Sequence, residues 1–310
     1  MNGFPSARTE AELLDMLQRQ AFRYFQHETN PANGMVIDKT RAGWPASIAA
    51  IGLALSCYPV GVERGWISRN AAIGITLRTL RFFSGSAQGP EADATGYHGF
   101  YYHFLDMQSG RRALDCELST MDTALLLAGA LVAAAYFARQ DGDEGEIREL
   151  VDALYRRVDW PWAQNGEAAV AQAWFPGSGF VGYRYRGYDE ALILYLLGLG
   201  APDQPLSAAS YGAWAASYEW HRIGEIEFLY AGPLFTHQLS HIWIDFRGIP
   251  DTYMRAKGID YFENSRRATS VQQQYAIENP LKFRGYGQHG WGITASDGPG
   301  DLTIRVDGIE

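Results

Sequence analysis

Ala124-Leu125-Leu126-Leu127-Ala128-Gly129-Ala130-Leu131-Val132-Ala133-Ala134-Ala135-Tyr136-Phe137-Ala138 is an uninterrupted apolar run of 15 residues. It is shorter than the ~20 residues that span a bilayer, so it reads as a helix buried inside a protein. Extended to residues 119–139, it is the most hydrophobic of a series of helical patterns. Thr9 caps a helix over residues 9–27, where Leu13, Leu14, Leu17, Ala21 and Tyr24 follow helical spacing. Further helices are expected at 46–57, 68–83, 144–158, 189–199, 208–220, 235–246 and 261–278, nine in all.

Two stretches read as hairpins. Residues 100–105 and 111–114 flank Asp106-Met107-Gln108-Ser109-Gly110. Residues 169–175 and 180–185 flank Pro176-Gly177-Ser178-Gly179. Each hairpin runs into a helix, which puts Glu117 to Asp122 and Asp189-Glu190 in equivalent positions. In antiparallel helix-pair folds such ends gather on one face. The expectation is one all-α domain over residues 1–310, decorated with short β-hairpins.

Composition narrows the function classes. With 310 residues, 47% of them hydrophobic, the chain can bury a substantial core. The net charge is -9, and lysine occurs only at Lys39, Lys257 and Lys282. No basic tract exists, which argues against nucleic acid or an anionic membrane as partner. Nine Trp and 18 Tyr suit either an aromatic core or a cleft that stacks sugar rings. Cys57 and Cys116 lack metal-site spacing and read as buried thiols. Residues 1–10 hold no apolar signal region, so the chain as written reads as cytoplasmic, or periplasmic if the N-terminus is processed.

Several motifs fail on context. Gly285-Tyr286-Gly287-Gln288-His289-Gly290 matches a dinucleotide-binding string, but no strand pattern precedes it and no apolar helix follows. Ser178 lies in a hairpin turn without nucleophile-elbow spacing. His237, His241 and Asp245 have zinc-compatible spacing, but the glutamate of a catalytic H-E-x-x-H helix is absent, and a polar stripe is the better reading. Asp141 and Asp143 begin a calcium-loop pattern whose central glycine is Glu146. No metal and no cofactor are expected.

Gly187-Tyr188-Asp189-Glu190 is the strongest acid–base candidate, with two carboxylates at the mouth of an apolar helix. Hydrolysis of a glycosidic bond needs a carboxyl pair, one of them with a raised pKa, and a partly apolar, aromatic surround raises it. The competing reading is that both acids complement the helix dipole. Asp251, Glu263, Glu278 and Asp297 complete the acidic candidates with Glu117 and Asp122.

Long blocks then resemble a known family. They are residues 98–106 (His98-Gly99-Phe100-Tyr101-Tyr102-His103-Phe104-Leu105-Asp106), 116–123, 174–180, 187–190, 235–245, 275–280 and 291–299. Together they resemble the bacterial glycoamylase-like domain, which is similar to β-1,2-glucan hydrolases and to a domain of cyclic β-1,2-glucan synthases. The resemblance implies an (α/α)6 toroid and a β-glucan substrate. It implies Glu190 as general acid, Glu117 and Asp122 as residues that bind sugar or organise water, and Glu278 as a nucleophile in transglycosylating relatives. Arg41, Trp44, His241 and Asp297 would line glucan subsites, with Trp174 and Tyr188 as further substrate-binding candidates. The toroid has twelve helices against the nine expected here, so the resemblance also implies helices missing at the C-terminus, where further carboxylates, the base among them, would lie. A non-catalytic glucan-binding domain, inactive through truncation, is the alternative.

Overall fold

The computed structural model describes residues 9–140 and 142–295. Asp141 and Asp297 lie outside them. The chain divides into two compact units, Met1–Val158 and Asp159–Glu310.

The first unit contains α1 (Glu10–His27), β1 (Ala46–Ser47), α2 (Ile48–Glu63), α3 (Arg69–Gly85), β2 (Gly96–Tyr97), β3 (Phe100–Tyr102), β4 (Phe104–Leu105), β5 (Leu118–Ser119), α4 (Thr120–Tyr136) and α5 (Gly142–Arg156). Helices α1 to α4 begin where a hydroxyl can cap them: Thr9, Ser47, Ser68 and Ser119 each accept a backbone N–H from the first turn. The apolar run is α4, buried on most of its surface. It packs against α2 through a glycine crossing, for a Cβ on Gly129 would collide with the Gly52 carbonyl. Helix α2 extends beyond the expected end at Cys57 and continues through Pro59 to Glu63. Tyr58, Pro59 and Gly61 are all buried and Phe22 of α1 packs against Gly61, so tertiary packing offsets the N–H that Pro59 lacks. Along α1 only Phe22 is buried, and Leu13, Leu14 and Leu17 stay exposed.

Arg69 of α3 forms a two-pronged ion pair with the fully buried Glu144 of α5, with both N–O distances under 3 Å (2.7 and 2.8 Å). The Arg69 hydrogen bond holds the Glu144 carboxyl below its ordinary pKa.

The first expected hairpin is corrected. Strand β4 pairs with β1 (Ala46↔Leu105), and β3 pairs with β2 and β5; residues 111–114 contribute a bridge at Leu105↔Arg112. Leu114 and Asp115 both take positive φ, which ends the extended run, and Arg112 folds onto the carbonyls of Asp115 and Cys116.

The second unit contains α6 (Trp160–Gln164), β6 (Ala173–Phe175), β7 (Gly179–Phe180), α7 (Leu192–Leu199), α8 (Ala208–Ala215), β8 (Trp220–Ile223), β9 (Ile226–Leu229), α9 (Leu234–Gln238), a 3₁₀ turn (Leu239–Ile242), α10 (Thr252–Lys257) and α11 (Tyr261–Glu278). The β6–β7 hairpin forms as expected, in the register Trp174↔Phe180. Three expectations change. Helix α7 starts at Leu192, with Asp189 and Glu190 in the turn before it. The helix expected over 208–220 ends at Ala215, and Trp220 begins the β8–β9 hairpin. The helix expected over 235–246 tightens to 3₁₀ at Leu239, which breaks the i, i+4 alignment of His237 with His241.

The chain is therefore rich in helix with short antiparallel strand pairs, and "all-α" is too narrow. Cys57 and Cys116 are free thiols, Cys116 buried and Cys57 partly so. The glycine-rich segment at 285–290 is a loop closed by a Gly287↔Gly290 bridge. Among the described residues, no helix is long and apolar enough to cross a membrane.

The Gly129→Ala variant should lose about 1–3 kcal/mol of stability in urea unfolding, the usual penalty of overpacking. Gly142→Ala, whose Cβ would meet nothing within 4 Å, is the matched control. Equal midpoints for the two variants would show that the α2–α4 crossing can relax.

Candidate active site

Among the described residues, each unit carries an acid cluster at the start of an apolar helix.

In the first unit, the β3–β5 ladder pairs Tyr102 with Leu118, and the His103 amide donates to the Glu117 carbonyl at 3.0 Å. The ladder thus brings His103 and Glu117 side by side, and their side chains meet at 2.8 Å (Nδ1 to Oε1). Asp122 is added by helix capping. Ser119 ends β5 and caps α4, accepting from the Asp122 amide at 3.1 Å, and this turns the Asp122 carboxylate to within 3.7 Å of His103 Nδ1.

The three ionisable groups bias one another. Burial works against the His103 cation, but the Glu117 hydrogen bond and the charges of Asp122 and Glu117 raise its pKa. Burial opposes ionisation of Glu117 as well, yet the His103 hydrogen bond outweighs it and lowers its pKa. Asp122 goes the other way, raised by burial, with His103 and Ser119 offsetting part of the effect. One carboxyl is held ionised and its neighbour is pushed toward the protonated form, the asymmetry that acid–base sites use. The donor atoms of His103, Glu117 and Asp122 all lie within 4.8 Å of one another, a spacing that could also hold a cation.

In the second unit, Arg184 anchors the approach to the acidic turn. Its Nη1 donates to the carbonyls of Gln164 and Ala169, both at 2.7 Å, and Glu167 pairs with Arg184 and Arg186 at 2.9 and 2.7 Å. Gly187 then takes φ +83° and donates its N–H to the Trp214 carbonyl at 2.8 Å. That left-handed conformation favours glycine. Tyr188 is buried: its ring stacks on Tyr261 and lies against Trp214, Tyr218 and His237. Asp189 Oδ1 accepts from the Ala191 amide at 3.0 Å and from the Trp214 indole at 2.9 Å. Glu190 follows, half-buried, at the mouth of α7. Burial, then the neighbouring Glu190 charge, push Asp189 up to about 7 against those two hydrogen bonds.

Beneath this turn lies a phenol network. Asp251 caps α10 through the Met254 amide (2.6 Å), and its second oxygen accepts from Tyr211 and Tyr261 at 2.7 and 2.8 Å. The Tyr218 hydroxyl joins Tyr261 at 2.8 Å.

Glu278 is exposed at the far end of α11 from Tyr261, about 26 Å along the helix axis at 1.5 Å per residue. Its carboxylate accepts from Gln274 at 2.7 Å. So α11 does not bring Glu278 to the Tyr188–Glu190 turn. Glu263 is held by Arg266 and Arg267, which lower it to about 2, the Arg266 bond contributing most. Asp245 pairs with Arg247, and His237 is buried with Nε2 at 3.1 Å from the Ala231 carbonyl. Burial drives His237 down to about 4, so it is neutral. His241 packs edge-on to Phe246 and Phe262, and its buried Nε2 has no hydrogen-bond partner among the described residues. Trp44 is half-buried, with Lys39 and Arg41 over its ring and its indole donating to Asp38 at 3.2 Å. Trp174 is half-buried beside Trp162. His103 and Trp214 were not singled out from sequence. The signal for His103 was its place opposite Glu117 once the strands are paired.

Residues 182–305 match the family model Glycoamylase, described as "Putative glucoamylase". The resemblance to the glycoamylase-like family holds. The matched segment contains the acidic turn and begins after Glu117 and Asp122. A curated relative is the exo β-1,2-glucooligosaccharide sophorohydrolase (non-reducing end) of Parabacteroides distasonis, 28% identical over 93% of this chain and 43% of that protein. The chain therefore spans less than half the length of the curated relative it matches. Similar solved structures include two crystal structures. A "putative glucoamylase" of Bacteroides uniformis gives a TM-score of 0.87 at 27% identity, over 99% of this chain and 76% of that one. The β-1,2-glucanase of Parabacteroides distasonis gives 0.85 at 25%, over 96% and 45%.

Because Asp189 has a folded-state pKa raised from 3.8 to about 7, its contribution to stability is full below its unfolded value and is lost as pH rises through about 7. The difference in unfolding free energy between wild type and Asp189→Asn should therefore change between pH 4 and 8, with the wild type losing stability relative to the variant as pH rises. A constant difference across that range would contradict the raised value.

Proposed function

We propose that this chain acts as a glycoside hydrolase on β-linked glucan, with β-1,2-glucan as substrate and Glu190 as general acid. The single observation that carries the reading is the turn from Gly187 to Ala191. It presents a half-buried glutamate between residues that are hydrogen-bonded to buried groups, beside a second carboxyl pushed up to about 7. The similarity to β-1,2-glucan hydrolases supports the substrate class.

In this mechanism the Glu190 carboxyl gives its proton to the glycosidic oxygen as the C1–O bond breaks, a water oxygen forms the new bond at C1, and the proton that water sheds passes to solvent, from which Glu190 is reprotonated. Glu117, held ionised by His103, binds a sugar hydroxyl or orders a water, and Asp122 donates or accepts beside it. Arg41, Trp44, Trp174 and His241 are assigned to glucan subsites, where flat rings suit pyranose faces. Tyr188 serves this site from inside the unit, by fixing the turn. The (α/α)6 toroid is the fold that belongs to this proposal, supported by the helix-rich structure and its structural neighbours.

Incubation with linear β-1,2-glucan should release short gluco-oligosaccharides, detectable by anion-exchange chromatography. Glu190→Gln should lower kcat by about 10²–10⁴-fold, the usual worth of a general acid, with an unchanged circular dichroism spectrum. Wild-type turnover by that variant removes Glu190 from the mechanism. Calorimetric binding of the glucan without any turnover by the wild-type chain would mean a glucan-binding module instead.

A further inference from the structure

Trp214 is completely buried, yet it makes two directed contacts with one short turn. Its carbonyl accepts the Gly187 N–H at 2.8 Å, and its indole N–H donates to Asp189 Oδ1 at 2.9 Å. The same Asp189 oxygen accepts the Ala191 amide at 3.0 Å. The residues on both sides of Glu190 are therefore tied to one oxygen, and that oxygen is tied to a core tryptophan. Tyr188 completes the seat from below through its stack on Tyr261.

An indole can only donate. Its partner must be an acceptor, and an asparagine amide oxygen would satisfy both donors without burying a charge.

We propose that Asp189 and Trp214 are positioning residues for Glu190: the indole–carboxyl clamp fixes the backbone on either side of the acid. This rests on the reading of Glu190 as general acid. The groups that act on Asp189 electrostatically are Glu190 and the phenols of Tyr188 and Tyr195; Arg184 and Arg186 act in turn on Tyr195. Helix α8 contributes the neutral Trp214.

The test is steady-state kinetics on linear β-1,2-glucan for Asp189→Ala, Asp189→Asn, Trp214→Phe and the Ala/Phe double variant, with Glu190→Gln alongside. Asp189→Ala should lose about 100-fold in kcat with little change in KM, the scale of a reacting group misplaced by 1 Å. Trp214→Phe should lose about tenfold, and the double variant should be no worse than Asp189→Ala, because both remove one clamp. Asp189→Asn keeps the acceptor, so it should recover most of the kcat lost in Asp189→Ala. Near-UV circular dichroism reports whether the core around residue 214 survives; if Asp189→Ala does not fold, the Asn and Phe variants decide. Wild-type kcat in Asp189→Ala overturns the proposal, as does full additivity of the double variant or no recovery of kcat in Asp189→Asn. An inactive Glu190→Gln beside an unaffected Asp189→Ala removes the clamp alone. An active Glu190→Gln, or a wild type without turnover, removes the acid reading and the clamp with it.

Discussion

Desolvation of carboxylates at the mouths of apolar helices is the constraint around which both units are built. Helices α4 and α7 are apolar nearly all round, so each N-terminal end lies close to a region where an ionised acid is unfavourable. The two units meet this differently. At α4 a serine cap orients Asp122, and the β3–β5 ladder supplies an imidazole beside it. At α7 there is no side-chain cap from the residue before the helix; Asp189 folds back on the Ala191 amide and takes a buried indole. In both, the acid is tolerated because local backbone geometry delivers a donor to it.

The long elements were legible in the sequence because capping and periodicity agreed. Helices α1, α3, α4, α5 and α11 form within three residues of their expected ends. What escaped was short. Helices α6 and α10 have five and six residues, less than two turns, too few for a periodic signal. The β8–β9 hairpin hid inside an aromatic stretch, Tyr218 to Tyr230. Its turn is the two residues Gly224-Glu225, with Gly224 at φ +58°, a legitimate hairpin signal that the neighbouring helical pattern masked.

The candidate site was legible as a set of motifs and opaque as a geometry. The Gly-Tyr-Asp-Glu block stood out, and Glu117 with Asp122 stood out, since acids near helix starts are visible in a string of letters. His103 did not, because its tie to Glu117 depends on strand register, fourteen residues away in the chain. Trp214 did not, because nothing in its local sequence marks an indole aimed at Asp189. Glu278 shows the converse. Its block resembles the family, yet its side chain stands exposed at the end of α11 and is bonded to Gln274 of the same helix.

The aromatic richness of the chain acquires a second meaning from these contacts. Acids paired with guanidinium groups are driven down: Asp245 beside Arg247 and Glu263 beside Arg266 and Arg267 both fall to about 2 and stay ionised. Asp189 meets an indole and a backbone amide, and Asp251 meets two phenols and an amide. Neutral donors satisfy the hydrogen-bonding demand of a buried carboxyl without the Coulombic pull that forces ionisation. For Asp189 burial then prevails, and its proton is held up to about pH 7. Asp189 is thereby buried in a state that can still exchange a proton near neutrality. In the second unit, the buried Trp214 and Tyr261 act as core and donor set at once.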